Sequence, residues 1–346
     1  MFMKLLLSAL LVYFSFISHP AYAQKNSINK IEFFKEQAIL NVTVEAYWSK
    51  LIKQKAKIGQ VTPARFITKL TDSSLVNEPL NLIVRGHFRR DYCFVPPLKL
   101  VFNKTDTSRM HPLKSIKLVS TCRLNSGYQQ YLLKEYMVYK MYNLLTDKSF
   151  NVRLLNINYK DSSEKKDGFS GYGFLIEDVK DMGKRNNCIE WTKGKIFTES
   201  TDRKQMTLVA LFEYMIGNTD WSVPAPHNIK LIQLKEDPSS RPFAVAYDFD
   251  YSGIINTDYA VPDPLMNTET VTQRVYRGFS RTLEEINETL ELFKQQKENI
   301  YSLVNNFELL TSGSKKNMIN YLEGFFDLIN KPREVKSVFI DNARSE

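Results

Sequence analysis

The chain has 346 residues, of which 43% are hydrophobic and 12% aromatic, with a formal net charge of +9. That composition supports a packed globular core rather than a disordered or fibrous chain. Basic residues are scattered among acids with no dense basic stripe. This argues against nucleic acid as a partner and fits a phosphate-bearing ligand or an acidic envelope polymer.

At the N-terminus Lys4 precedes an apolar run, Leu5 to Phe16, and then Ala21-Tyr22-Ala23. A basic residue, an apolar stretch and an A-x-A site predict a secretory signal over 1–23, cleaved to leave Gln24 first, with an uncleaved anchor as the alternative reading. No later stretch is apolar enough to span a bilayer. Apolar and β-branched runs at Ala38–Val44, Leu80–Val84, Leu98–Phe102 and Ile116–Val119 predict strands. Gly127–Thr146 then reads as a helix, because Tyr131, Leu132, Glu135, Val138, Tyr139, Tyr142 and Leu145 recur at three- and four-residue steps. Val152–Ile157 is the next strand, Lys160–Ser170 a polar loop, and Gly173–Glu177 a short apolar strand.

From Thr201 the pattern turns helical, with Ser200 or Thr201 as cap, Met206, Val209, Phe212 and Ile216 on the apolar face, and Gly217 as the stop. Residues 212–253 read as helix, polar turn, strand, hairpin, strand and acidic turn. After Pro264, Leu283–Gln296, Ile300–Leu309 and Lys315–Leu328 predict helices. A β-rich first part with one long helix, 24–172, thus precedes a mainly helical part, 173–346, an α+β bilobal layout. Of three cysteines, Cys93 and Cys122 fall in the β-rich part and can pair in an exported protein; three reduced thiols are the other reading. No Cys/His spacing suggests zinc.

Residues 212–253 carry the chemistry. Asp220 follows the helix, His227 and Asn228 precede a strand, and Asp248 and Asp250 close the next. Carboxylate and amide oxygens suit a hard cation, and in a regular strand Asp248 and Asp250 share a face. Lys117 faces opposite to Ile116 and Leu118, and a buried lysine needs an acid, for which Glu135 is the central candidate on the long helix. Lys114 is the alternative cation. His227 reads as a structural hydrogen-bonding residue. Arg274, Arg277 and Arg281 read as surface charge or as a phosphate patch.

The order helix, GNTD, HN, strand, hairpin, strand, YDFD resembles the catalytic segment of atypical protein-kinase-like enzymes, closest to the CotH-like (spore-coat H) kinases and more remotely to HipA-type kinases. VRGHFRRDYCFVPPLKLVF, KSIKLVS and YLLKEYMVYKMYNLL extend the resemblance over roughly residues 75 to 260. It implies a bilobal protein-kinase-like fold and an exported kinase that uses ATP with Mg²⁺ or Mn²⁺ to phosphorylate a protein hydroxyl or envelope polymer. It implies Asp220 as the base, Asn228, Asp248 and Asp250 as metal ligands, Lys117 on the α/β-phosphates paired with Glu135, and Phe174–Asp178, including Glu177, as the adenine hinge. The chain departs from the pattern in three ways. Seven residues separate Asp220 from Asn228 where a kinase catalytic loop has four, and the chain lacks both a G-x-G-x-x-G loop and H-R-D. A non-catalytic kinase-like surface protein and a D-x-D glycosyltransferase are the competing readings, the second opposed by the absence of a βαβ pattern before Asp248.

Overall fold

The computed structural model describes residues 27–57, 59–105, 108–163 and 167–345; the expected leader lies outside them, as do residues 164–166 of the polar loop. The chain enters through α1 (Lys30–Lys35), β1 (Leu40–Ala46), α2 (Trp48–Lys53), β2 (Val61–Lys69) and β3 (Leu75–Val84). A short α3 (Phe88–Tyr92) leads to β4 (Leu98–Phe102) and β5 (Ser115–Ser120). The long α4 (Ser126–Leu145) precedes β6 (Val152–Asp161) and β7 (Phe169–Ile176).

These seven strands close on themselves in the order β1-β2-β3-β4-β5-β7-β6. Closure comes from a parallel pairing of β1 with β6, from Leu40 opposite Leu155 to Ala46 opposite Asp161, while every other barrel pairing is antiparallel. Period-two burial along the strands fills the interior with Phe66, Leu82, Leu100, Leu155 and Ile157, all completely buried. Each such side chain contributes about 1.5–3 kcal/mol relative to exposure.

Beyond the barrel, α5 (Val179–Arg185) and β8 (Cys188–Glu190) lead to α6 (Arg203–Ile216). β9 (Ile229–Leu234) and β10 (Phe243–Ala246) join β8 in a three-stranded antiparallel sheet of order β10-β9-β8. The chain ends in α7 (Leu283–Asn305), α8 (Ser312–Ile329) and α9 (Pro332–Lys336). α4 is buried nearly all round. Its core cluster runs from Val119 on β5 and Phe174 on β7 through Phe212 on α6 to Phe293 and Phe325 on α7 and α8. No described helix is long and apolar enough to cross a membrane.

The bilobal kinase-like arrangement expected from the sequence is therefore corrected: the architecture is a closed, mixed seven-stranded barrel plus helices. The strand reading lacked β2, whose exposed Val61, Arg65 and Lys69 and internal Pro63 hide its alternation. It also had no means of seeing that the first and sixth strands pair. Smaller differences concern helix ends. α6 is capped by Asp202, whose carboxylate accepts from Gln205 N–H at 2.8 Å, rather than by Thr201 or Ser200. α7 runs unbroken through Lys297–Asn299, started by a Thr282/Glu285 capping box.

β7 passes so close to its neighbours that Gly173 has no room for a methyl group. A Cβ there would lie 2.7 Å from Ile157 Cδ1 and 3.0 Å from Val119 O. Gly173→Ala should lower stability by about 1–3 kcal/mol through overpacking. Urea unfolding of the two proteins checks this, and an unchanged midpoint would contradict the tight barrel.

Candidate functional site

α6 ends at Gly217, in the left-handed region at φ 67°. Its carbonyl accepts from Gly253 N–H and the Ile216 carbonyl from Ile254 N–H, each at 3.0 Å. These bonds lay the turn after β10 against the end of α6. Asp220 follows at once, its N–H donating to Asn218 Oδ1 at 3.1 Å. The seven-residue spacer that departs from the kinase pattern is a small hairpin: Ser222 N–H donates to His227 O at 2.9 Å and His227 N–H to Ser222 O at 3.0 Å. It doubles back and returns Asn228 to Asp220. Asn228 Nδ2 donates to the Asp220 carbonyl at 2.8 Å and to its Oδ2 at 3.0 Å. His227 Nε2 lies 2.8 Å from Asp220 Oδ1. With Nδ2 engaged, Oδ1 is the atom of the Asn228 amide left to face a cation.

Asn228 is buried and left-handed, at φ 51°, and its carbonyl accepts from Tyr247 N–H at 3.0 Å. That contact carries the β9/β10 pairing one step further and sets Asp248 beside Asn228. Asp248 is left-handed too, at φ 64°, and its N–H donates to the Tyr139 hydroxyl at 2.9 Å. Two non-glycine residues in this costly conformation within one site are backbone strain of the kind that clusters at functional positions. The regular strand expected to place Asp248 and Asp250 on one face ends at Ala246, so a turn, not a pleat, aims them. Asp250 is buried and accepts from the Tyr259 hydroxyl at 3.0 Å. Burial and the neighbouring Asp248 push its carboxyl up to about 6.

Glu135 is buried on α4, but its partner is not Lys117. Arg89 Nη1 lies 3.7 Å from Glu135 Oε2 and 3.5 Å from Asp250 Oδ2, and Nη2 donates to Ser120 O at 3.0 Å. Burial, then Asp250, raises the Glu135 carboxyl well above the usual range, and Arg89 opposes that. Burial alone would lower Arg89, but Tyr259, Asp250 and Glu135 outweigh it and hold the guanidinium charged. The Cys93–Cys122 disulfide and the bond from Phe94 N–H to Cys122 O at 2.8 Å tie the end of α3 to the end of β5, and so keep Arg89 in place.

Lys117 sits on β5 with its ammonium 4.9 Å from the centre of the Tyr247 ring. It lines a cavity of about 300 Å³ with Arg85, Lys99, Lys230, Asp178 and Tyr247. Burial, then Arg85, lowers Lys117, while Asp248 acts in the opposite direction. Burial lowers Arg85 as well, opposed by Asp248. Glu177 lines the same cavity, with its carboxylate committed to Arg185 and to Asn151 N–H at 3.0 Å. Lys114 is exposed at the turn before β5. Arg274, Arg277 and Arg281 are not a surface patch: they donate to Met215 O, Trp221 O and Glu199 and bind the helices together.

Asp220, Asn228, Asp248 and Asp250 thus gather at one place, with Glu135 behind Asp250 and Lys117 facing Asp248. Arg85 and Arg89 complete the charge balance and were not singled out from the sequence. The run VRGHFRR between two strands was the available signal. Among the described residues no group of three or more His, Cys, Asp or Glu side chains is arranged to hold a metal. The oxygen-only set of Asn228, Asp248 and Asp250 suits a hard cation that completes its shell with phosphate and water. No family model and no curated protein matches the chain.

The disulfide spans a separation of 29 residues. Its removal by Cys93→Ser/Cys122→Ser should cost about 3–4 kcal/mol by the chain-entropy estimate, read as a lower urea midpoint. A double variant as stable as the parent would exclude a role in holding α3.

Proposed function

We propose that the chain is a metal-dependent phosphotransferase that moves the terminal phosphoryl group of a nucleoside triphosphate to a hydroxyl group. The observation that carries this reading is the Asp220–Asn228–Asp248 cluster beside a cavity lined by Arg85, Lys99, Lys117 and Lys230. Acids on one side and four cations on the other match what phosphoryl transfer asks of a protein: positioning and charge neutralisation without a covalent intermediate. The likeness of the motif order to the CotH-like kinases is a second support. The Cys93–Cys122 disulfide favours an exported, oxidising setting, and with it an acceptor on a protein or envelope polymer.

A bound Mg²⁺ or Mn²⁺, held by Asn228, Asp248 and Asp250, would neutralise phosphate charge. Arg85 and Lys117 add fixed positive charge on the cavity side. Asp220, oriented by Asn228 and His227, takes the proton of the attacking hydroxyl. The acceptor oxygen forms a bond to the terminal phosphorus while the bond from that phosphorus to the bridging oxygen breaks, and the nucleoside diphosphate leaves with the electron pair. Tyr139 and Arg89 touch no reactant; they hold Asp248 and Asp250.

Asp248→Asn should abolish the metal-dependent rise in melting temperature with ATP, because the amide keeps the shape and removes the charge. Asp220→Asn should keep that rise and slow transfer by about 10²–10⁴-fold, the range for loss of a general base. Thermal shift and labelled-phosphate transfer on both variants check this. Equal small effects, or stabilisation by a sugar nucleotide and not by ATP, would overturn the reading.

Asp250 gives a pH test. Its folded pKa of about 6 lies above the ordinary 3.8, so protonation stabilises the metal-free fold. That stability is fully present below about 4 and is lost as pH rises through about 6. Metal must displace the same proton, so Mn²⁺ affinity should rise as pH increases from about 5 to 7 and then level. Calorimetric titration across this range should show the rise in the parent and a flatter profile in Asp250→Asn; parallel profiles would separate Asp250 from the metal.

A further inference from the structure

On the other side of the turn that carries Asp250 lies a second cavity, of about 530 Å³, within the range of small-molecule sites. Its walls come from α4, the 253–256 turn, Thr272 and α8. The residue after which Glu135 follows, Lys134, lines it. Lys134 is 7% exposed, yet it has no ion pair among the described residues. Its one hydrogen bond is to Ile255 O at 3.1 Å, and the Tyr131 ring centre is 5.9 Å away. The ammonium therefore keeps two N–H donors and an uncompensated charge against the cavity.

A desolvated ammonium without a carboxylate is expensive unless an anion meets it. Burial alone lowers Lys134, and an anion in the cavity would restore it. The rest of the lining is uncharged: the exposed amides of Asn256, Asn317 and Asn320 and the Thr272 hydroxyl stand beside Ile254 and the rings of Tyr131 and Tyr321, and the three amides make no side-chain hydrogen bond among the described residues. Asn317 and Asn320 lie three apart on α8 and so share a face. An ammonium is a point charge that a phosphate oxygen can meet from any direction, as lysines at phosphate sites do. Amides carrying both donor and acceptor suit hydroxyl groups.

We propose that this cavity is a binding site for a small phosphomonoester of a polyhydroxylated molecule, its phosphate on Lys134 and its hydroxyls on Asn256, Asn317 and Asn320. The site is separate from the Asp220–Asp248 cluster and does not depend on the activity proposed for it. A ligand held there would also brace the Ile255 carbonyl, and through it the turn whose Asp250 carbonyl accepts from Thr257 Oγ1 at 3.2 Å.

Calorimetric titration of the full chain with glucose 6-phosphate, inorganic phosphate and glucose tests this. Glucose 6-phosphate should bind with Kd below about 1 mM, inorganic phosphate more weakly, and glucose not measurably. Lys134→Met should weaken glucose 6-phosphate by at least about tenfold, as loss of a charge-assisted contact requires. Asn317→Ala/Asn320→Ala should weaken the sugar phosphate while sparing inorganic phosphate; it decides the matter alone if Lys134→Met does not fold. Lys117→Met, at the other cavity, should leave the affinity of the Lys134 site for glucose 6-phosphate unchanged. Absence of saturable binding, equal binding in Lys134→Met, or loss of binding in Lys117→Met would overturn the site. Inorganic phosphate binding as tightly as the ester would overturn the assignment to a phosphomonoester.

Discussion

Arg89 stands in the interior with Glu135 at 3.7 Å on one side and Asp250 at 3.5 Å on the other, and the placement of the acidic cluster follows from it. Removing one partner of such a group leaves a buried charge that costs several kcal/mol. Burial and the mutual repulsion of the acids raise both carboxyls, and the single guanidinium of Arg89 offsets only part of that, so a further cation beside the cluster would favour their charged forms. The contact also joins three remote parts of the chain: α3 next to the barrel, the inner face of α4, and the turn after β10. The disulfide and the Ser120 carbonyl make the arginine's position a property of the barrel rather than of a mobile side chain.

The acids are held from the other side by aromatic packing. Phe249, between Asp248 and Asp250, is completely buried, with its ring centre 4.7 Å from Tyr139 and 5.6 Å from Phe212. Anchoring the middle residue of Asp-Phe-Asp fixes both carboxylates at once. Tyr139 serves twice, as an edge contact for Phe249 and as the hydroxyl that accepts from Asp248 N–H. Elements distant in sequence thus meet around one ring, and the left-handed backbone at Asp248 is the conformation that lets the ring point inward.

Much of the local structure was legible because local rules govern it. The apolar periodicity of α4 and α8, the β-branched run of β5 and the glycine stop at Gly217 each state their own outcome within a turn or two. The acid cluster was legible as a set, since Asp220, Asn228, Asp248 and Asp250 flank two short strands joined by a hairpin. What escaped was non-local. Arg89 lies among His87, Arg90 and Asp91 in a helix with no buried hydrophobic residue, so its sequence looks like a solvated face. Its burial comes from α4 and the Asp250 turn. Glu135 was read as the acid that pairs with Lys117, whereas the structure sets it against Arg89, a pairing that depends on how the barrel closes. Asp248 and Asp250 were read as strand residues because periodicity does not register a left-handed step.

The parallel pairing of β1 with β6 has a consequence for how the molecule comes to exist. Every antiparallel pair in the barrel joins strands that are one or two apart in strand order, whereas in the parallel pair Leu40 waits for Leu155. Loop closure on that scale is entropically slow, and non-local pairings delay the transition to the native state. The hairpin of β2 and β3 and the long α4 can form early, on their own contacts. Until β6 arrives, β1 offers an unpaired strand edge, the hazard that closure removes. The nascent chain should therefore be most prone to self-association in the interval between the synthesis of β1 and that of β6. Once β6 and the start of β7 are made, the Trp48 ring of α2 meets Tyr159 and Phe169, and these contacts favour prompt closure of the barrel.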